Sequence, residues 1–163
     1  MNRKQNVFVA AALLSSAGFA NAAPAIYQDG ALTIPNGAII TEHREDYFTN
    51  IVLSTDSQGR LSIVAATRAT PAFVEDVEAV VEENTVTLEV AGFLSTPCNA
   101  LLEPAVAETD DGFVVLLAQS PSTATCAQVT QPFSTDVEID VSDRDAGSYE
   151  VRVNDLELTF ELP

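Results

Sequence analysis

The chain has 163 residues, with 24 acidic and 7 basic side chains and a formal net charge of −17 at pH 7. Such a negative surface repels nucleic acids and anionic lipids, so the composition argues against a nucleic-acid-binding or membrane-inserting protein. The sequence has one histidine and contains no G-x-S-x-G elbow, phosphate loop or dinucleotide fingerprint. We therefore expect no enzyme activity.

The first 22 residues have the three parts of a bacterial secretory signal peptide. Asn2-Arg3-Lys4 is a short basic region, Val7 to Ala20 is apolar, and Ala20-Asn21-Ala22 is an A-x-A cleavage site. The apolar run of about 14 residues is short for a membrane span. The next residue, Ala23, is not the cysteine of a lipoprotein. We predict cleavage after residue 22 and an exported, periplasmic or extracellular chain, with a retained N-terminal anchor as the alternative.

Removal of this peptide makes the chain more acidic. All 24 acids follow residue 22 but only five arginines do, which gives 5 − 24 = −19, and no lysine remains. This charge favours basic partners, divalent cations or a saline environment. The alternative is that the acidity serves solubility alone.

Residues 23–70 are predicted to form a small antiparallel meander. Strands are indicated at Ala31–Ile34, Tyr47–Leu53 and Arg60–Ala65. In the second, Phe48, Ile51 and Leu53 are expected to face inward with a bulge between them. Turns are indicated at Pro35-Asn36-Gly37 and at 56–59. Such a unit needs a partner to bury its apolar face.

Residues 71–84 are predicted to connect the meander to the rest of the chain. Phe73, Val74, Val77 and Val81 have helix-like spacings, and early acids suit a helix dipole. The abundance of valine favours a strand instead. The sequence leaves helix and strand equally open here.

Residues 85–163 contain six or seven predicted strands, the density of a β-sandwich. The first four are predicted at Thr85–Phe93, Leu101–Ala107, Phe113–Ala118 and from Cys126 to Val129. Phe113–Ala118 is continuously apolar, as in a strand that is buried on both faces.

The two cysteines, Cys98 and Cys126, are predicted to form a disulfide bond. An even pair of cysteines in an exported chain is typical of an oxidising compartment. Closing this loop stabilises a fold by about 3–4 kcal/mol in the chain-entropy picture.

Three consecutive strands are predicted near the C-terminus, because apolar residues alternate with polar ones from 136 to 162. Asn154-Asp155 is predicted to form a tight turn, since both residue types tolerate positive φ. Its pairing would place Val153 beside Leu156.

The segment Asp145-Ala146-Gly147-Ser148-Tyr149 resembles the D-x-G-x-Y pattern of immunoglobulin-like domains. The resemblance covers residues 84–163 and implies that Asp145, Gly147 and Tyr149 form a structural corner, with the Tyr149 hydroxyl bonded to the backbone. Val151 stands where antibody-type domains carry a cysteine, and the chain has no Trp. The chain is also similar to small exported bacterial proteins of unassigned function. The expected fold is all-β, with a C-terminal immunoglobulin-like antiparallel sandwich preceded by a small β-meander.

Two groups of side chains are candidate metal ligands. Asp136, Asp140 and Asp143, near the acids 110, 111 and 145, are oxygen ligands of the kind that calcium takes. Their alternative is a solvated acidic face. His43 lies among acids at 42, 45 and 46, but zinc sites need more His or Cys, so we expect an exposed loop histidine. No other cofactor is expected.

The predicted function is a non-catalytic exported binding or structural module of the bacterial cell envelope, with a protein as its partner. The first alternative is an acidic inhibitor of a basic secreted enzyme, a lysozyme or a protease, which would use the loops Thr41–Asp46, Ser95–Asn99 and Ser120–Thr125. A further alternative is calcium-dependent adhesion.

Overall fold

The computed structural model describes residues 25–41, 44–109, 111–122 and 125–163. These residues form thirteen strands and no helix, which confirms the all-β prediction. No helix in these ranges could therefore cross a membrane. The predicted signal peptide lies outside the described residues. The chain divides into two compact units after Arg68.

The first unit is a four-stranded antiparallel sheet with its strands in chain order. Asp29 and Gly30 both have positive φ at the first turn, as a tight hairpin turn requires. The predicted meander is thus present, with one strand more at its N-terminal end than the sequence predicted. Its strands are β1 (Ile26–Gln28), β2 (Ala31–Thr41), β3 (Arg44–Thr55) and β4 (Leu61–Arg68).

β2 passes straight through Pro35-Asn36-Gly37, so the turn predicted there is wrong. The pairs Ile34–Ile51 and Asn36–Thr49 continue the ladder on either side of the proline. Proline has no N–H to donate and is tolerated in a sheet where the pairing is irregular. The irregularity lies opposite it, because Asn50 has a φ of 52° and β3 shifts register against β4 at this point. This shift is the bulge that was predicted among Phe48, Ile51 and Leu53.

The second unit contains two larger sheets and a short strand pair. A three-stranded antiparallel sheet has the order β11-β7-β6, and a four-stranded sheet has the order β13-β12-β9-β8, while β5 pairs with β10. Its strands are β5 (Thr70–Pro71), β6 (Phe73–Val81), β7 (Thr85–Leu94), β8 (Ala105–Glu108), β9 (Gly112–Leu116), β10 (Ala118–Gln119), β11 (Gln131–Asp140), β12 (Gly147–Val153) and β13 (Leu156–Leu162).

The core of this unit is built from alternate residues of both sheets. Leu88 of β7 and Val151 of β12 are completely buried in one apolar cluster, with Phe113 of β9 almost as deeply enclosed. Each such side chain contributes about 1.5–3 kcal/mol on burial. In β7 and β12 the residues on either side of Leu88 and Val151 are polar, so the period of two in these strands produces the sandwich. β9 is buried along its whole length, as its continuous apolar run predicted, but the strand predicted at Phe113–Ala118 is divided, because β9 ends at Leu116 and Ala118 begins β10.

Three further predicted elements differ from the structure. The segment predicted to be a connection contains β6, which pairs with β7 over its length, so its valines form a strand and not a helix. The strand predicted from Leu101 begins at 105, because Pro104 precedes it and Leu101 makes only an isolated bridge to Gln119. No strand starts at Cys126; β11 begins at 131 and includes Pro132, which an edge strand tolerates.

One strand pair in the sandwich is parallel. β12 runs parallel to β9, with Glu150 opposite Gly112 and Val153 opposite Val115. A Cβ atom on Gly112 would lie 1.8 Å from the Glu150 carbonyl oxygen, so the close approach of these strands requires glycine. This pair departs from the antiparallel sheets of the immunoglobulin-like pattern. All other strand pairs in the described residues are antiparallel.

The C-terminal hairpin follows the predicted register. Val153 pairs with Leu156, and Asn154 has a φ of 49° in the turn between them. The Asn154 side chain is buried, which the sequence pattern did not predict.

Candidate functional site

The outer surface of the sheet β11-β7-β6 carries a row of three carboxylates. Glu78 of β6 lies directly opposite Glu89 of β7, and Glu89 lies directly opposite Asp136 of β11. Directly opposed residues have Cβ atoms about 5 Å apart on one face of a sheet. All three side chains are exposed. We call this row, with the outward residues Asp76 and Glu138 beside it, the acidic face.

No basic side chain belongs to the strands of the acidic face. β6, β7 and β11 contain no lysine, arginine or histidine. Like charges that face each other across strands destabilise a sheet. The acidic face therefore attracts an approaching cation, and no basic side chain on its own strands reduces this attraction.

An aromatic pair lies at one end of the acidic face. Phe73 of β6 pairs with Phe93 of β7, and their rings stack with centroids 6.4 Å apart. Phe73 is 65% exposed, although a phenylalanine is normally among the more buried residues. Apolar and anionic groups are thus adjacent on one sheet surface.

A second feature is a cleft of about 580 Å³ near the ends of β8 and β11. Among its described lining residues the one basic group is Arg144, whose guanidinium donates to a Glu108 carboxylate oxygen at 3.1 Å and to the Thr109 carbonyl at 3.3 Å. We call it the Arg144 cleft. Its lining consists of Glu108, Thr109, Asp140, Ser142, Asp143 and Arg144.

The predicted structural corner adjoins this cleft. The Tyr149 hydroxyl donates to the Asp145 carbonyl oxygen at 2.9 Å, so Asp145 acts there through its backbone. The Arg144 guanidinium lies 5.6 Å from the Tyr149 ring centroid and 5.0 Å from that of Phe113. Gly147 begins β12 beside them. These contacts hold Arg144 in place as a structural cation.

The three aspartates predicted to bind calcium do not converge. Asp140 and Asp143 both line the Arg144 cleft, but Asp136 lies four residues back along β11, about 13 Å away by strand geometry. Among the described residues, no group of three or more His, Cys, Asp or Glu is arranged to hold a metal. Asp110 lies outside the described residues. Calcium binding stays a prediction.

Asp140 has a local structural contact of its own. Its carboxylate accepts a hydrogen bond from the Ser142 backbone N–H at 2.9 Å. This bond, together with one from the Ser142 side chain, lowers the pKa of Asp140 below its ordinary value. The carboxylate is therefore an anchor for the turn after β11.

The predicted disulfide is present. Cys98 and Cys126 are bonded, with Cα atoms 6.2 Å apart. Two of the three loops predicted as contact surfaces meet close by, because the Asn99 side chain donates to the Ser120 carbonyl and the Ala100 N–H donates to the Ser120 hydroxyl. Residues 123 and 124 of the second loop lie outside the described residues.

The buried Gln119 fixes these loops to the sandwich. Its side-chain oxygen accepts from the Ser95 N–H at 2.8 Å, and its amide donates to the Pro71 carbonyl at 3.1 Å. Sequence reasoning missed this role, since a glutamine in a short strand gives no periodic signal.

The third predicted contact loop, Thr41–Asp46, is partly described. His43, expected to be an exposed loop histidine, and Glu42 lie outside the described residues. Asp46 is buried and forms an ion pair with Arg68 of β4. This pair joins β3 to β4 within the first unit.

Comparison with known proteins supports the fold. Residues 88–162 match the family model described as the ORF11 beta-sandwich domain. No curated protein matches the chain, and no solved structure matches it. The strand arrangement and the family match together define a β-sandwich protein.

Proposed function

We propose that the chain is a non-catalytic, exported binding module of the bacterial cell envelope that contacts a basic protein through its acidic face. The observation that carries this proposal is the row Glu78–Glu89–Asp136, on strands without any basic residue. The disulfide is consistent with an oxidising compartment, and the predicted signal peptide would deliver the chain there.

The physical argument is that a cationic partner relieves repulsion already present in the free protein. Each directly opposed pair of like charges costs the sheet about 0.2–1 kcal/mol. An arginine or lysine placed over the row removes that cost in addition to its own attraction. The large net charge also steers a cation toward the surface and speeds association at low salt.

The second candidate function is inhibition of a basic secreted enzyme, such as a lysozyme or a protease. The exposed Phe73 favours it, since tight protein interfaces use a central aromatic anchor inside a polar rim. Calcium-dependent adhesion is a third proposal, to which Asp140 and Asp143 would contribute.

The corner around Tyr149 supports a finer structural proposal. Its hydroxyl-to-backbone bond is the interaction that the immunoglobulin-like pattern implies. We propose a relationship with such domains and with small exported bacterial proteins that carry a sandwich.

The test is capture of partners from the native envelope fraction by the mature protein, residues 23–163. The bait is compared with the triple variant Glu78→Gln/Glu89→Gln/Asp136→Asn. A control variant, Glu150→Gln/Glu157→Gln/Glu161→Gln, removes the same charge from the other sheet. We expect a basic protein to be captured at low salt, released at high salt, and lost with the first variant only.

The outcomes separate the candidate functions. An identified enzyme that the wild type inhibits and the first variant does not would establish the inhibitor. Capture that needs calcium and fails with Asp140→Asn would favour adhesion. Equal loss with both triple variants would show that net charge, and not the acidic face, carries the binding, and would contradict the proposal.

A further inference from the structure

We propose that β4 is a self-association edge, through which two copies of the chain pair β4 against β4 to continue the sheet of the first unit. β4 is the last strand of that sheet and has a paired neighbour on one side only, within the described residues. Every residue of the strand is exposed. An exposed edge strand presents a row of backbone donors and acceptors to another strand.

Several side chains of β4 are apolar and exposed, although natural edge strands normally carry features that prevent pairing with another chain. Leu61, Ile63 and Val64 are 64%, 59% and 60% exposed. The protective devices of natural edges are charges, prolines and very short strands. Between Leu61 and Thr67 there is no charge and no proline over seven residues.

The distribution of charge over the edge strands indicates that a second copy of the chain pairs with β4. The longer strands at the edges of the two large sandwich sheets all carry acids, at Glu78, Glu108, Asp136 and Glu157 among others. In a chain of net charge −17, two copies repel each other wherever such edges approach. β4, by contrast, is a long edge strand without an acidic residue, so two copies meet there without opposing carboxylates along the strand.

The ends of β4 are neutral as well. Arg60, just before the strand, is paired with Asp56 at 2.8 Å, and Arg68 at its end is paired with Asp46. Antiparallel pairing about a two-fold axis brings the Arg68 end of one copy to the Arg60 end of the other. Each end of the seam then holds two ion pairs and has no net charge. The arginines that flank β4 therefore do not repel those of the second copy.

The expected salt dependence is opposite to that of the acidic face. Salt screens the repulsion between the two negative chains, so pairing through a neutral seam strengthens as the ionic strength rises. A basic partner on the acidic face is released under the same conditions. A pairing limited to one strand also buries less than the roughly 800 Å² per partner of a standard interface, so we expect a weak, concentration-dependent dimer.

The experiment is sedimentation equilibrium of the mature chain at low salt and at about 1 M NaCl. Ile63→Lys and Val64→Lys place a lysine in the seam, while Val129→Lys adds the same charge at a residue of similar exposure, 59%, in the second unit. Because each lysine lowers the net negative charge equally, long-range repulsion changes equally in all three. We expect dimerisation at high salt, weakened about tenfold or more by the two seam variants and unchanged in Val129→Lys.

A second measurement locates the contact. Hydrogen exchange of the β4 amides should slow as the protein concentration rises at high salt, and this slowing should vanish in Ile63→Lys. A monomer under all conditions would overturn the proposal. So would a dimer that survives both seam variants, or one that Val129→Lys weakens equally.

Discussion

Asn154 shows how one side chain can join distant parts of the sandwich. Its oxygen accepts from the Leu117 N–H at 2.9 Å, and its amide donates to the Ala72 and Leu117 carbonyls at 2.8 and 3.0 Å. The residue thus links the C-terminal hairpin to the segments around β5 and β10. The sequence predicted its turn, because asparagine tolerates positive φ, but not this link, because no local pattern marks a partner 82 residues away.

Replacement of Asn154 separates the two roles. Asn154→Gly keeps the positive φ and removes the side-chain bonds to the Leu117 N–H and to the Ala72 and Leu117 carbonyls, of which the Leu117 carbonyl keeps a bond from the Ala72 N–H. We therefore expect unfolding to become easier by about 2–3 kcal/mol. Asn154→Ala should lose about 1 kcal/mol more, because alanine resists positive φ. Urea unfolding measures both. The exposed neighbour gives the control Asp155→Ala, and a similar loss in that variant would contradict the role of the Asn154 side chain.

Tyr149→Phe tests the corner. The variant keeps the ring that packs 6.0 Å from Phe160 and removes only the hydroxyl that donates to Asp145. We expect a loss of about 1 kcal/mol in the free energy of unfolding. Tyr27→Phe, at a largely exposed tyrosine, should change nothing. Equal values for the two variants would show that the hydroxyl bond contributes no stability.

Asp140 gives a prediction about pH. Hydrogen bonds from the Ser142 backbone and side chain depress its folded pKa below the ordinary value of 3.8. A depressed folded pKa gives stability that is present above the unfolded pKa and is lost as the pH falls through the folded pKa. The Ser142 amide resonance should therefore shift with a midpoint below pH 3.8, and Asp140→Asn should abolish the shift. A midpoint at or above 3.8 would contradict the hydrogen bond.

At the scale of elements, the alternation of apolar and polar residues was enough to predict the strands that bury one face. β7, β12 and β13 lie where alternation predicted them, because each has a buried side and a wet side. It was insufficient for β6, whose valines fitted a helix and a strand equally well. The pairing of β6 with β7 makes the segment a strand. The alternation also missed the passage of β2 through Pro35, since a facing bulge in another strand is invisible in local sequence.

Glu89 lies at the centre of the acidic face and opposes a carboxylate on each side. Glu89→Gln should therefore raise the free energy of unfolding by about 0.5–1 kcal/mol, and the gain should shrink at high salt. Thermal unfolding at two salt concentrations measures it. Glu157→Gln is the control, because Glu157 lies opposite Arg152 and its neutralisation should give no gain. A gain of equal size in the control would assign the effect to net charge.

At the scale of the molecule, the sequence was enough for the β-sandwich and its disulfide but not for the arrangement of charges. The acidic face exists because Glu78, Glu89 and Asp136 come into register, and the register of Asp136 depends on the pairing of β11 with β7, which are far apart in the chain. The three aspartates chosen as ligands share one stretch of sequence, yet strand geometry separates Asp136 from the other two. Proximity in sequence was a poor guide to proximity in space for Asp136 in both groups.

The extent of the folded unit can be tested directly. The family match begins within β7 and leaves out β5 and β6, although Ala72 and Val74 are buried in the core. A fragment of residues 69–163 should unfold cooperatively, whereas residues 83–163 should not fold, because the latter loses those side chains and one acceptor of Asn154. Calorimetry of the two fragments measures this. A cooperative transition of equal stability in residues 83–163 would show that β6 is dispensable.

The parallel pairing of β9 with β12 also sets an order of events during synthesis. β9 is buried on all its residues, and one of its two neighbours is made only near the C-terminus. A chain that emerges N-terminus first from a ribosome therefore cannot complete the pairing of this apolar strand until β12 has emerged. The sandwich closes only then, and until that point β9 lacks one of its two neighbours.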